Sequence, residues 1–220
     1  MLICIEKVIE TALLDTWKEA IVAAPEIFAD GTKTAGWQAR DVKRNQQAEG
    51  ELAGRIVAMA QEKLLAHPMF KAAAQPKAII KTMLSKYQAG NGYGLHVDEP
   101  LMAGQRVDLS FTLFLSAPET YQGGALILES PAGEESYKLN AGSLVLYPTT
   151  VLHRVEDVTS GTRLAIVGWV RSFIRNPQDR ETLFDLENLI TSLRAANANR
   201  AAIDVALKIK ANLMQRWLED

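Results

Sequence analysis

The sequence predicts an antiparallel β-sandwich or β-barrel framed by helices, and three observations carry that prediction. Between residues 79 and 172, short segments rich in β-branched and aromatic side chains alternate with Gly, Pro and Asn. No helical periodicity interrupts them, which argues against a parallel sheet with crossover helices. On both sides of this block the apolar residues switch to helical spacing.

Taken in order, residues 2–9 alternate weakly and predict a short strand, with the single cysteine, Cys4, buried in it. Over 11–24, Leu13, Leu14, Trp17 and Ile21 share one helical face, and Pro25 closes the run. Asp30-Gly31 and Ala35-Gly36 mark turns. Over 46–66, Leu52, Ile56, Val57, Ala60, Leu64 and Leu65 repeat at helical spacing until His67-Pro68 ends the helix. The β block then divides into about eight strands, near 79–87, 93–98, 107–116, 124–129, 136–139, 143–147, 151–157 and 163–172. Gly90-Asn91-Gly92, Gly123-Gly124 and Asn140-Ala141-Gly142 supply turns. After Asn176-Pro177 two apolar stripes follow, Leu183 to Leu193 and Ala202 to Trp217, separated by the polar residues 197–200. They predict a helical hairpin whose apolar faces need a cover, either the barrel or a second copy in a homo-oligomer. The chain thus reads as a domain over 1–176, with its β core at about 78–175, and a C-terminal helical segment over 177–220.

Hydrophobic residues make up 48% of the 220, sufficient for one sizeable core. The net charge is −2 and basic residues gather only at Lys43-Arg44 and Arg171/Arg175, which argues against nucleic acid as a partner. Arg106, Arg171 and Arg175 offer contacts to an anionic substrate, with solvated strand ends as the preferred reading. The first residues turn polar too early for a signal peptide, and no apolar run is long enough to span a bilayer. A cytoplasmic, reducing setting is therefore expected. One cysteine permits neither an internal disulfide nor a cysteine-based metal cage.

Chemistry concentrates in His96-Val97-Asp98, followed by His153 and Arg163. Residues two apart in a strand face one side, so His96 and Asp98 grip one ion while Glu99 faces away. Gly90, Gly92 and Gly94 let the backbone turn tightly just before them. His153 lies in another predicted strand that a closed sheet brings alongside, with Arg154 facing outward. Two imidazoles and a carboxylate form the ligand set of a mononuclear iron(II) site with open positions. The same donors hold zinc in some hydrolases, and Arg163 separates the two cases. A permanent cation within a small acid's length of the metal suits a cosubstrate that chelates at one end and ion-pairs at the other, as 2-oxoglutarate does. His67, at a helix end before Pro68, reads as structural. On residues alone, a cupin-like metal enzyme that uses no oxo-acid and a non-enzymatic metal-binding or assembly module stay open.

The stretch from Tyr87 through Gly90-Asn91-Gly92 to His96-Val97-Asp98 resembles the iron-binding segment of prolyl 4-hydroxylase-type, 2-oxoglutarate-dependent dioxygenases. Further runs look like the bacterial PKHD-type hydroxylases: residues 108–116, Gly123-Gly124-Ala125-Leu126, residues 142–148, Leu152-His153-Arg154-Val155 and Arg163. The likeness is strong over 80–172 and weaker over the flanking helices. It implies a double-stranded β-helix, or jelly roll, with His96, Asp98 and His153 as Fe(II) ligands. It implies that Arg163 binds the distal carboxylate of 2-oxoglutarate and that the Tyr87 hydroxyl joins it. Some relatives place Ser or Thr two residues after the arginine; this chain has Ala165, which leaves the carboxylate pocket leaning on Arg163 and Tyr87. The implied reaction consumes 2-oxoglutarate and O2, hydroxylates a C–H bond of a prolyl- or lysyl-type substrate or related small molecule, and releases succinate and CO2. L-Ascorbate is implied as the reductant that keeps the iron ferrous.

Overall fold

The computed structural model describes residues 1–34 and 40–219. The chain begins with β1 (Ile3–Ile5), α1 (Thr11–Ala23) and the short strands β2 (Phe28–Asp30), β3 (Lys43–Arg44) and β4 (Gln46–Ala48). Helices α2 (Glu51–Ala66) and α3 (Pro68–Ala74) lead into the long β5 (Pro76–Tyr87) and into β6 (Gly92–His96). A small hairpin, β7 (Leu101–Met102) and β8 (Gln105–Arg106), precedes β9 (Leu109–Phe114), β10 (Tyr121–Gly123), β11 (Leu126–Ser130) and β12 (Gly133–Tyr137). The β region closes with β13 (Leu144–Pro148), β14 (His153–Val155), β15 (Val158–Gly161) and β16 (Arg163–Ser172). Helices α4 (Pro177–Ala195) and α5 (Arg200–Trp217) follow.

Among the described residues the strands form a seven-stranded sheet in the order β1-β13-β9-β16-β5-β4-β2, facing a five-stranded sheet β12-β11-β14-β6-β3. Every pairing is antiparallel, giving the jelly-roll architecture. Strand alternation sorts the residues of the large sheet into two cores. Leu164, Ile166 and Val170 of β16 join Leu84, Leu109, Phe111 and Leu113 in packing against Trp17, Ile56, Leu64 and Phe70 of α1–α3. Burying each of these side chains contributes roughly 1.5–3 kcal/mol. The opposite face carries Tyr87, Phe114, Val145 and Tyr147 toward Leu126, Leu128 and Val155 of the small sheet. The functional residues lie between the two sheets, His96 and His153 on the small one and Arg163 and Tyr87 on the large one.

The C-terminal hairpin forms as expected. Asn176 caps α4 by accepting from the backbone N–H groups of Gln178 and Asp179, and Asn199 caps α5 through Ala201 N–H. Leu183 and Ile190 of α4 are buried. Arg106, expected in solvent, instead donates to Asp108, Glu219 and the Ser172 carbonyl, tying the chain's last residues to the barrel.

Several expectations need correction. The helix predicted from residue 46 begins at Glu51, because Gln46 and Gln47 pair with Lys86 and Ser85 at the margin of the large sheet. Long-range pairing there overrides local helical spacing. His67-Pro68 does end α2, but Pro68 starts α3 at once, since proline suits the first helical position. Cys4 is exposed rather than buried: β1 is an edge strand, and alternation turns Ile5 inward and Cys4 outward. The Ala35-Gly36 turn lies outside the described residues.

Candidate metal and cosubstrate site

Antiparallel pairing of β14 with β6 sets His153 directly opposite His96. The ladder stops at His96, so Asp98, expected within the strand, sits on the segment just beyond it. Alternation no longer governs that segment, and Glu99, expected to face away, borders the cavity. Gly94 is needed for close approach rather than for a turn, since a Cβ there would lie 2.7 Å from Val42 Cβ.

One donor atom from each of His96, Asp98 and His153 lies within 4.8 Å of the others. His96 Nε2 is 3.9 Å from Asp98 Oδ1, and His153 Nε2 is 3.8 Å from Asp98 Oδ2. Each imidazole is oriented from behind. His96 Nδ1 lies 2.8 Å from the Gly94 carbonyl and His153 Nδ1 3.0 Å from that of Val151. A carbonyl only accepts, so each Nδ1 carries the proton and each Nε2 presents its lone pair to the shared space. Burial, reinforced by His153, pushes the His96 pKa down to about 4, which keeps the ring neutral and able to ligate at neutral pH. Tyr93 stacks on His96 at 3.7 Å between ring centroids, and Tyr147 meets His153 edge-on at 5.2 Å. Ser110 donates to Asp98 Oδ2 at 2.7 Å and lies 3.3 Å from Thr149 Oγ1. Sequence reasoning missed Ser110: its partner comes from a distant segment, and no motif spacing announces it. Arg154 points outward and pairs with Glu134. His67 takes no part in the cluster.

These donors open onto a cavity of about 440 Å³ between the two sheets. From the large sheet it is lined by Lys81, Met83, Ser85 and Tyr87 of β5, Val167 and Trp169 of β16, and Thr112 of β9. Arg163 lies beside it and is fully buried. Its guanidinium carbon sits 4.9 Å from the Tyr87 ring centroid and 5.4 Å from that of Phe114. Among the described residues none of its three side-chain nitrogens makes a hydrogen bond of acceptable geometry, although the Tyr121 hydroxyl lies close by. The Tyr87 hydroxyl accepts from the Asn45 side chain, which leaves its own proton free to donate. Burial lifts the Tyr147 phenol well above its ordinary range, aided by the Asp98 charge. The ring is therefore neutral, and it senses both Asp98 and Arg163.

Two tests of fit follow. Two imidazoles and a carboxylate, pre-oriented around one space, match the donor set for a divalent iron with open positions. A buried cation whose N–H donors make no hydrogen bond of good geometry matches the carboxylate of a small oxo-acid.

Comparison with known proteins agrees with both. Residues 82–171 match the family model described as the 2OG-Fe(II) oxygenase superfamily. A PKHD-type hydroxylase of Parvibaculum lavamentivorans is 50% identical over 203 residues, covering 92% of each chain. A second, from Acaryochloris marina, is 46% identical over the whole of both chains. Among solved structures, a Pseudomonas putida prolyl-4-hydroxylase aligns with a TM-score of 0.57 at 19% identity, covering 78% of this chain and 92% of that one. A Trichoplax adhaerens prolyl hydroxylase, solved with a hypoxia inducible factor peptide fragment, aligns at 0.58 and 15%, covering 77% and 82%. These structural likenesses support the fold; the close sequence relatives set aside the cupin-like and non-enzymatic alternatives. The chain belongs to the PKHD-type hydroxylases, within the Fe(II)- and 2-oxoglutarate-dependent oxygenase superfamily.

Proposed function

We propose that His96, Asp98 and His153 hold the iron, and that Arg163 with Tyr87 takes the distal carboxylate of 2-oxoglutarate. The substrate we infer is a prolyl- or lysyl-type side chain of a peptide or protein, or a related small molecule. Hydroxylation of its C–H bond accompanies conversion of 2-oxoglutarate and O2 to succinate and CO2. The observation that carries this reading is a buried, unpartnered Arg163 on the inner face of the large sheet, opposite the small sheet whose strands β6 and β14 bring the three donors together. The prolyl hydroxylases among the structural neighbours support the substrate class.

When bound, the iron supplies dioxygen activation, with 2-oxoglutarate as the source of electrons. The protein's part is geometry and exclusion. The carbonyls of Gly94 and Val151 hold both imidazoles in one tautomer, and Ser110 aims the Asp98 carboxylate. Arg163 fixes one end of the cosubstrate, so its reacting end has a single orientation. Met83, Val167, Leu126 and Trp169 give the cavity apolar walls that exclude water from the reacting C–H bond.

We further read L-ascorbate as the reductant that restores ferrous iron, and the cytoplasm as the setting. No helix among the described residues is long and apolar enough to cross a membrane. Residues 1–176 form the oxygenase domain in this reading, and 177–220 an appended helical segment. Leu189, Val205 and Ile209 stay exposed on that segment and favour a homo-oligomer through it.

Anaerobic addition of Fe(II) and 2-oxoglutarate should produce a visible charge-transfer band. A succinate-release screen of peptides and metabolites with Fe(II), 2-oxoglutarate and ascorbate should then identify the substrate. Absence of the band overturns the assignment of the site.

A further inference from the structure

Four hydroxyls on the inner face of the large sheet are engaged by the protein itself. Ser110 donates to Asp98, Thr112 bonds the Tyr147 hydroxyl, and Tyr87 is bonded by Asn45. Ser85 is the exception. It is fully buried, it lines the cavity, and its Oγ has no partner. A buried hydroxyl with nothing to bond costs free energy that an alanine at the same place would not. Its retention in the middle of a β strand points to a ligand.

Strand register identifies the part of the ligand. Ser85 pairs with Gln47 on one side and Ala165 on the other, so its backbone is locked into the sheet from both edges. The next inner-face pair along the same ladder is Tyr87 with Arg163. The Arg163 guanidinium packs against Tyr87 and against Phe114, and Phe114 is itself the register partner of Ala165. Ser85, Ala165, Phe114, Tyr87 and Arg163 are thus neighbours on one patch of the inner face, where Ser85 and Tyr87 line the cavity and Ala165 carries only a methyl group. A carboxylate there has about four lone-pair sites, and an arginine fork occupies two of them. The Ser85 hydroxyl, one register pair away and without a partner of its own, is available to donate to one of the others.

We propose that Ser85 is a positioning residue that donates its Oγ–H to the distal carboxylate of 2-oxoglutarate, supplying from β5 the hydroxyl that Ala165 does not offer from β16. This rests on Arg163 being the carboxylate anchor. Isothermal titration of 2-oxoglutarate into the full-length protein loaded with Mn(II), which permits no turnover, tests it. Ser85→Ala should weaken binding about tenfold, the lower range for a lost hydrogen bond to a charged group. Mn(II) affinity should not change, and the melting temperature of the ligand-free protein should not fall. Moving the hydroxyl across the ladder, in a Ser85→Ala/Ala165→Ser double variant, should recover much of the loss. Unchanged affinity in Ser85→Ala, a loss that tracks a lowered melting temperature, or a loss that the double variant leaves in place each overturns the proposal. Arg163→Ala, measured alongside, separates the two levels. If it weakens binding while Ser85→Ala does not, only the serine role falls. If it too leaves affinity intact, the cosubstrate assignment falls with it.

Discussion

The two ends of the cavity are built on opposite principles. At the donor end every group is already held: both Nδ1 atoms bond backbone carbonyls, and Ser110 bonds Asp98. At the other end Arg163 is enclosed between the Tyr87 and Phe114 rings with all three nitrogens unpartnered, while Ser85 and Tyr121 keep hydroxyls without acceptors. The aromatic faces offset only part of the cost of a buried cation. The donor end is pre-organised for a metal cation and costs the fold little. The arginine end strands a positive charge that an anion relieves, so ligand binding there returns stability that folding gave up.

The contrast can be broken experimentally, starting with the largest effect. Asp98→Ala removes the anionic donor, so metal affinity should fall by more than the roughly 10–100-fold typical of outer partners, and succinate release should cease. Retention of turnover would remove Asp98 from the site. Arg163→Met should act with opposite signs on two measurements. Affinity for 2-oxoglutarate should drop about 100-fold, on the scale of a buried charge-assisted contact. The ligand-free protein should melt higher, by about 1–4 kcal/mol of stability, because an uncompensated buried charge is gone. A lower melting temperature would show that the cation is already compensated. Ser110→Ala should weaken metal binding about tenfold and leave 2-oxoglutarate affinity of the metal-saturated protein unchanged.

Gly124→Ala sharpens the comparison from the arginine side. The residue has φ +66, and an added Cβ would lie 2.8 Å from Val158 Cγ2 and 3.1 Å from Arg163 Cδ. We expect a loss of about 1–2 kcal/mol from the left-handed backbone, seen in denaturant unfolding. Weakened 2-oxoglutarate binding and intact metal affinity should accompany it. Tyr87→Phe should give the smallest effect, a few-fold rise in the 2-oxoglutarate Kd, since one neutral donor among several is lost. No change would assign that hydroxyl to Asn45 alone.

How far the sequence reveals these features depends on the range of the interaction involved. Strand segments and helices were legible because period-2 and period-3.6 patterns are local, as in 163–172 and in α5. His96, Asp98, His153 and Arg163 stood out in the sequence because few residue types can do such chemistry, and the fold gathers the first three into one cluster. Residues 46–48 were misread because β4 exists only through its pairing with β2 and β5. Cys4 was misread because its exposure depends on which strand ends the sheet. Ser85 and Ser110 carried no signal at all, since serine is common and its partner is chosen by register.

By itself, then, the amino-acid order determined the alternation that divides each strand between two cores, and the donor types available to a metal and an oxo-acid. Tertiary structure alone decided which hydroxyl faces which donor, why Asp98 lies outside the ladder, and that Arg163 is sealed without a partner. Alternation follows from the backbone geometry of a single strand. Register and burial follow from closing sheets whose strands lie far apart in the chain, and no local pattern contains that information.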